Sequence, residues 1–92
     1  MSSFYQIKAK KIIFKKCSIQ EVDFSESILS SSIFESCDLL SSTFDNTNLE
    51  NVDFRTSFNY IIDPEKNIIK NANFSVNGLS GLLEKYKIKI SL

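Results

Sequence analysis

Large apolar residues recur at every fifth position along the first half of the chain. The positions run from 4 to 54 and hold Phe4, Ala9, Phe14, Ile19, Phe24, Leu29, Phe34, Leu39, Phe44, Leu49 and Phe54. An α-helix repeats every 3.6 residues and a strand every two, so neither element produces an unbroken period of five. A fixed period of this kind is typical of a solenoid, in which each repeat packs on its neighbours.

A second set of residues stands two positions before each large apolar residue. These positions hold small or β-branched side chains, namely Ser2, Ile7, Ile12, Cys17, Val22, Ser27, Ser32, Cys37, Ser42, Thr47 and Val52. The other three residues of each block are mostly Ser, Lys, Asp, Glu and Asn. The pattern predicts a chain that turns a corner every five residues, with two side chains per block inward. Four such sides close a square coil of twenty residues.

The twenty-residue coil predicts which side chains stack between neighbouring coils. Phe residues twenty apart are expected on two opposite sides of the square, with aliphatic residues on the sides between them. The predicted core ladder consists of Phe4, Phe14, Ile19, Phe24, Leu29, Phe34, Leu39, Phe44, Leu49, Phe54 and Phe74. Each of these large side chains contributes about 1.5–3 kcal/mol when it is buried.

The blocks CSIQE, VDFSE, CDLLS, TNLEN, VDFRT and ANFSV resemble the A(D/N)LXX unit of the pentapeptide repeat family. The resemblance covers residues 2–56 as repeats and continues into the C-terminal segment, although only Ala72 supplies the family's alanine at the small position. It implies an all-β solenoid, which in this family is a right-handed quadrilateral β-helix. The C-terminal region resembles that of bacterial members, in which an α-helix caps the solenoid.

The expected organisation is a β-helix over residues 1–74, with an irregular coil at 57–71, and a C-terminal helix and short strand over 75–92. Asn59 occupies the next inward position of the repeat, and Asp63–Asn67 is expected to form a turn. Ser75 to Lys87 is expected to be an α-helix, capped by Ser75 or Asn77. In relatives such a helix forms the dimer contact, docked or swapped. The candidate dimer interface is Leu79, Leu82, Leu83, Tyr86, Ile88 and Ile90.

Charge is distributed unevenly along the chain, although the net charge is zero. Residues 1–16 contain five lysines and no acid, and residues 17–54 contain eight acids and no base. The candidate acidic surface is Asp23, Glu26, Glu35, Asp38, Asp45, Glu50 and Asp53. Fluoroquinolone-resistance members of the family resemble B-form DNA and bind DNA gyrase, so the resemblance implies that this surface could imitate DNA. Ordinary solvated charge explains the same residues, as it does the N-terminal lysines.

The sequence contains few residues that could support catalysis or bind a metal ion or cofactor. There is no His, and the two cysteines, Cys17 and Cys37, are twenty residues apart at small inward positions. We expect a stacked pair of buried free thiols, in preference to a disulfide or a zinc site. No catalytic, cofactor-binding or metal residue is therefore predicted.

The sequence predicts a non-enzymatic, cytoplasmic, bacterial scaffold that works through protein–protein contacts. The expected state is a homodimer, and the expected partner is a protein such as a type II topoisomerase, without direct contact to nucleic acid or membrane. Several apolar residues are expected on the outside, namely Ile28, Phe58 and the pairs Ile13–Ile33 and Leu40–Tyr60, whose members are twenty residues apart. The alternative is a structural C-terminal fragment of a longer repeat protein, because the first coil would present unpaired edges.

Overall fold

The chain winds into a solenoid with a coil of twenty residues. The computed structural model describes residues 2–3, 5–8, 10–89 and 91. Strand β1 (Ser2–Ser3) pairs in parallel with β3 (Val22–Asp23), and β2 (Ile13–Lys15) pairs in parallel with β4 (Ile33–Glu35). Isolated parallel bridges continue the same register into later coils. We number the coils as residues 2–21, 22–41, 42–61 and 62 onward.

The core of the solenoid is built from stacked phenylalanines. Phe14, Phe34, Phe54 and Phe74 form one stack, with ring centroids 4.6, 5.1 and 5.4 Å apart and planes within 9° of parallel. Phe24 and Phe44 form a second stack at 5.0 Å, as the twenty-residue period predicts. The two stacks meet edge to face across the core. Such aromatic pairs add about 0.5–1.5 kcal/mol beyond the area that they bury.

Burial of the predicted core ladder depends on the position of each coil. The buried members are Ile19, Phe24, Leu29, Phe34, Leu39, Phe44, Leu49 and Phe54. Phe14 and Phe74 are half-buried and pack against this cluster. They belong to the first and fourth coils, which have a regular coil on one side only. Phe4 and Ala9 lie outside the described residues.

The corners of the coil are residues with left-handed backbone. Up to residue 51, the residues with positive φ recur every five positions, and they are Gln6, Lys11, Lys16, Glu21, Glu26, Ser31, Ser36, Ser41, Asn46 and Asn51. Each stands immediately before an inward small residue. A non-glycine residue in this conformation costs about 1–3 kcal/mol, so the surrounding structure has to hold it.

The small inward residues hold the corners by hydrogen bonding to the previous coil. The Ser42 hydroxyl accepts from the N–H of Val22 at 3.2 Å and donates to the carbonyl of Ile19 at 2.6 Å. Ser57 bridges Cys37 and Phe34 in the same way. Because these backbone groups are buried beside a corner, a hydroxyl at the inward position satisfies both a donor and an acceptor.

The two cysteines occupy this same inward position. The Cys37 thiol donates to the carbonyl of Phe14 at 3.4 Å, which is the bond that a serine hydroxyl makes elsewhere in the solenoid. Burial raises the pKa of the Cys37 thiol, and both cysteines are free. Cys17, in the outermost coil, is half-buried.

The predicted positions of Asn59 and Tyr60 are wrong, and the structure exchanges them. Tyr60 is only 3% exposed and packs between Phe54 and Phe74, with centroids 5.4 and 5.6 Å away, while Asn59 is on the surface. The regular corner would fall on Thr56, but the left-handed residue is Asn59, with φ 63°. A β-branched residue disfavours positive φ, whereas Asn tolerates it, so the later corner brings Tyr60 inward.

The predicted α-helix over residues 75–87 is also wrong. The structure forms two 3₁₀ helices, Val76–Leu82 and Glu84–Tyr86, and residues 88–89 form no strand. Ser75 caps the first of them, accepting from the N–H of Gly78 at 3.2 Å. No helix within the described ranges is long and apolar enough to cross a membrane.

Tyr60 explains why this segment is not an α-helix. Both glycines of the chain lie against it: a Cβ at Gly78 would come within 1.8 Å of the Tyr60 hydroxyl, and one at Gly81 within 2.0 Å of the Tyr60 carbonyl oxygen. Ile62 N–H donates to the Gly81 carbonyl at 2.9 Å, and Leu82 packs against the core. This docking, together with the low helix propensity of glycine, selects the observed turns.

We predict that Gly81→Ala loosens the C-terminal segment. The added methyl group collides with backbone, which cannot move as a flexible side chain would, so the free energy of unfolding should fall by about 1–3 kcal/mol. Urea unfolding followed by tyrosine fluorescence measures this. Ser80→Ala, an exposed substitution in the same turn, is the control. Equal stability of the two variants would contradict the docking of Gly81 on Tyr60.

We predict that Ser57→Ala destabilises the solenoid by about 1–3 kcal/mol, because it leaves the Cys37 N–H and the Phe34 carbonyl without their partner. Thermal and urea unfolding of the variant and of Ser18→Ala, an exposed serine in the first coil, provide the comparison. A loss no larger than that of Ser18→Ala would show that the inward hydroxyl does not hold the corner.

Candidate protein-interaction site

Three of the predicted surface acids have a structural role at the turns. Asp23, Asp38 and Asp53 each accept a hydrogen bond at Oδ1 from the N–H two residues later, at 2.9, 3.1 and 2.9 Å. This is the Asx turn, in which a short carboxylate or amide side chain replaces a backbone acceptor. The A(D/N)LXX pattern contains this signal, because its second position holds the Asp or Asn that forms the turn.

These turns also set the ionisation of the carboxylates. Hydrogen bonds from Ser25 lower the pKa of Asp23, and the Asn59 amide, which donates to Asp38 Oδ1 at 2.9 Å, lowers that of Asp38. The Arg55 guanidinium lowers the pKa of Asp53, with its Nη2 2.9 Å from Oδ2. All three are therefore charged and fixed in position at neutral pH.

The candidate acidic surface does not form a single face. The parallel β-bridges of Asp23, Asp38 and Asp53 belong to three different sides of the coil, so the three carboxylates point in different directions around the solenoid. Two further acids have basic or polar neighbours in the first coil. Glu35 is paired in register with Lys15, and Glu26 accepts from the Tyr5 hydroxyl at 2.7 Å. The negative charge therefore surrounds the middle of the solenoid, and Asp45 and Glu50 are half-exposed within the same band.

The residues of the predicted dimer interface differ in their exposure to solvent. Leu82 and Leu83 are half-buried, whereas Leu79, Tyr86 and Ile88 are exposed, and Ile90 lies outside the described residues. The observed turns therefore replace the single apolar face expected of a helix.

A cluster of ionic contacts links Lys85 and Tyr86 of the C-terminal segment to the turn at Asp63–Asn67. Lys85 Nζ lies 3.1 Å from Asp63 Oδ1 and 2.8 Å from Glu65 Oε1, and the Tyr86 hydroxyl donates to Glu65 Oε1 at 3.0 Å. The Glu65 and Asp63 carboxylates raise the pKa of Lys85. Lys85 is the main cause of the lowered pKa of Glu65, while the N–H of Glu65 contributes most to the lowered pKa of Asp63.

A cleft opens where the 3₁₀ turn meets the third coil, and we call it the C-terminal cleft. Its volume is about 340 Å³, which falls in the range of ligand and peptide pockets. Three exposed apolar side chains, Leu40, Phe58 and Ile61, form its coil side, and Glu84 lies on the opposite side. The remaining lining residues are Ser57, Asn59, Tyr60, Ser75, Asn77, Gly78, Ser80 and Gly81.

The sequence missed this cleft as a site. It placed Leu40 and Phe58 outside, but paired Leu40 with Tyr60, which is buried. Ile61 stands at an outward position of the five-residue repeat, immediately before the buried Ile62, and is therefore exposed. Within the described part of the chain, no group of three His, Cys, Asp or Glu side chains could hold a metal ion.

A twenty-residue coil with left-handed corners and an inward ladder of small polar residues defines a β-solenoid of five-residue repeats. Residues 17–55 match the Pentapeptide repeats family in eight copies, so this segment is a pentapeptide-repeat array and the resemblance is confirmed.

Two solved structures are similar to the chain, both of trypsin-treated variants of QnrB1, a plasmid-mediated fluoroquinolone resistance protein. The first is 16% identical with a TM-score of 0.38, and the second is 19% identical with a TM-score of 0.34. Both likenesses cover the whole of this chain, which spans 66% and 64% of the two structures. No curated protein matches the sequence.

We predict that Lys85→Met lowers the melting temperature at neutral pH but not in acid. The lowered pKa values of Glu65 and Asp63 mean that their contribution to stability is present above their ordinary values, near 4, and is lost as the pH falls through the folded values. Melting curves between pH 2 and pH 7 measure the difference in melting temperature between Lys85→Met and the original chain. Lys70→Met is the control. A difference that persists unchanged at pH 2 would contradict the ionic contact.

Proposed function

We propose that this chain is a non-enzymatic pentapeptide-repeat scaffold that acts through protein–protein contacts. The observation that carries the proposal is the C-terminal cleft, where Leu40, Phe58 and Ile61 are 48%, 49% and 55% exposed side by side. Clustered apolar exposure beside polar residues is typical of an interaction surface. The proposed assembly is a right-handed solenoid that forms a homodimer through its C-terminal segment.

The partner that we propose is a DNA-binding enzyme of the type II topoisomerase class, such as gyrase. Residues 17–54 supply eight acids on about two coils, and coils stacked about 4.8 Å apart span about 10 Å. B-form DNA carries one charge per about 1.7 Å of axis, or about six over that length. The local charge density is therefore comparable to that of DNA. The Asx turns favour mimicry further, because they hold Asp23, Asp38 and Asp53 ionised in fixed places.

The second candidate is a structural part of a longer repeat array without an activity of its own. It is favoured by the edge of the first coil. Ile28 and Ile33 donate to the previous coil at Ile7 and Ile12, at 2.7 and 2.9 Å. The N–H groups of Lys8 and Ile13 occupy the same positions one coil earlier. A coil that preceded the first one could therefore accept hydrogen bonds from them.

Direct binding to purified DNA gyrase tests the topoisomerase proposal, with the mass of the chain measured on the same sample. We predict saturable, salt-sensitive binding that weakens when three charges are removed by Asp23→Asn, Asp38→Asn and Asp53→Asn. These substitutions keep the Asx turns, because Asn48 forms the same turn with Glu50 N–H at 3.0 Å. The melting temperature of the triple variant should therefore stay near that of the original chain.

Asn48→Asp is the matched control, because it adds a charge at an equivalent turn and should strengthen binding slightly. Absence of binding by a well-folded chain would make the topoisomerase proposal wrong and leave the scaffold without this partner. Binding that is unchanged in the triple variant would show that the acids of the turns do not imitate DNA.

A further inference from the structure

The solenoid pairs its backbone by one rule on each side. The N–H of a residue at the middle of a side donates to the carbonyl twenty-one residues earlier, as Phe58 does to Cys37 at 3.1 Å and Asn73 does to Val52 at 2.9 Å. Its carbonyl accepts from the N–H nineteen residues earlier, as that of Asn73 does from Phe54 at 2.8 Å. The middle of each side therefore presents one acceptor and one donor to the coil that follows, while the N–H of a corner residue donates separately, as Glu26 does to Asp45 at 2.9 Å.

The position one coil after Phe58, which is Gly78, departs from this rule. Gly78 is twenty residues later, but its N–H donates to the carbonyl and hydroxyl oxygens of Ser75, at 3.1 and 3.2 Å. The rule would pair Gly78 with the Ser57 carbonyl and the Asn59 N–H. Neither group has a hydrogen bond to any described residue, and both residues line the C-terminal cleft.

These two backbone groups flank Phe58 with the spacing of a parallel bridge. One residue of an added strand satisfies both, because its N–H donates to Ser57 and its carbonyl accepts from Asn59. The bridges among the described residues are all parallel, so an added strand would continue the same pattern. Leu40 and Ile61 provide apolar surface beside that strand. The cleft therefore accepts an extended peptide that contains apolar side chains.

The tail of the chain, residues 88–92, has the chemistry that this cleft requires. It reads Ile-Lys-Ile-Ser-Leu, so β-branched apolar residues alternate with a basic one. Lys89 complements Glu84, whose contact with Lys87 at 3.4 Å is solvent-exposed and therefore weak. Ile88 is 55% exposed in the chain as it stands, so it is available for another contact.

The start of the tail is fixed away from its own cleft. Tyr86 is bonded to Glu65, and Lys85 contacts both Glu65 and Asp63, on the side of the square that follows the Phe58 side. Only Lys87 separates Tyr86 from the tail, so the tail of the same chain has one residue in which to turn toward its own cleft. A second copy has no such restriction.

We infer that the tail of one copy adds as a parallel strand to the C-terminal cleft of a second copy, with Lys89 pairing to Ser57 and Asn59. The inference rests on the proposed homodimer and specifies its contact. It also completes the pairing of the third coil, which the 3₁₀ turn of the same chain leaves open.

Sedimentation equilibrium of full-length variants tests this inference. Lys89→Pro removes the pairing N–H, and Phe58→Ser removes the apolar contact at the cleft. Each should weaken the dimer about tenfold, which corresponds to about 1.4 kcal/mol. Ile68→Ser removes an equally exposed isoleucine on another side, and should leave the dimer unchanged. Lys89→Ala keeps the N–H and should weaken it less than Lys89→Pro.

A mixed sample of isotope-labelled and unlabelled chains distinguishes the two sources of the tail. Contacts between the Ile88 methyl groups and the Phe58 ring, observed across copies by isotope-filtered NMR, support the inference. The same contacts within one copy overturn it. A dimer that neither Lys89→Pro nor Phe58→Ser weakens overturns the contact while retaining the homodimer, whereas a chain that is monomeric at all concentrations refutes the homodimer itself.

Discussion

The solenoid depends on the hydrogen bonds that each inward polar residue makes to the coil before it. A left-handed corner every five residues places buried backbone groups beside the core, and stacked phenylalanines cannot satisfy them. Ser42, Thr47 and Ser57 reach those groups from the next coil, and Asn67 does so with its amide, at 2.9 Å to Thr47 N–H and 3.0 Å to the Phe44 carbonyl. The aromatic stacks and the aliphatic residues beside them supply the apolar burial, but these bonds make the corner conformation tolerable.

The sequence predicted the register because the same five-residue spacing holds from position 4 to position 54, so no single local irregularity within it changes which residues stack. Eleven repeats at one spacing leave one way to stack Phe14 on Phe34. The prediction failed where a single residue changed the corner, at Asn59, and that failure moved Tyr60 into the core. The prediction of an α-helix failed for the same reason, since Gly78 and Gly81 lie against Tyr60, and this contact adds to the low helix propensity of glycine. Contacts of this kind join distant residues and leave no local pattern.

The candidate site follows from that irregularity. Leu40 and Phe58 could be placed on the surface from the repeat, but the cleft between them and the C-terminal turn exists only because the fourth coil departs from regular pairing. The acidic residues were visible in the sequence as charges, and their arrangement was not. The structure shows that Asp23, Asp38 and Asp53 serve their own turns, so the same carboxylates stabilise the fold and supply an ordered negative surface.

The direction of the inward hydrogen bonds makes the two ends of the array unequal. Ser27 and Ser32 serve the N–H groups of Ile7 and Ile12, so each coil is completed by residues synthesised after it. Removing the first coil would leave the hydroxyls of the second near solvent, where water replaces their partners. Removing a later coil would strand buried backbone groups in the coil before it. An array of this kind can therefore gain or lose repeats during evolution at its N-terminal end, whereas its C-terminal end requires a dedicated closing segment.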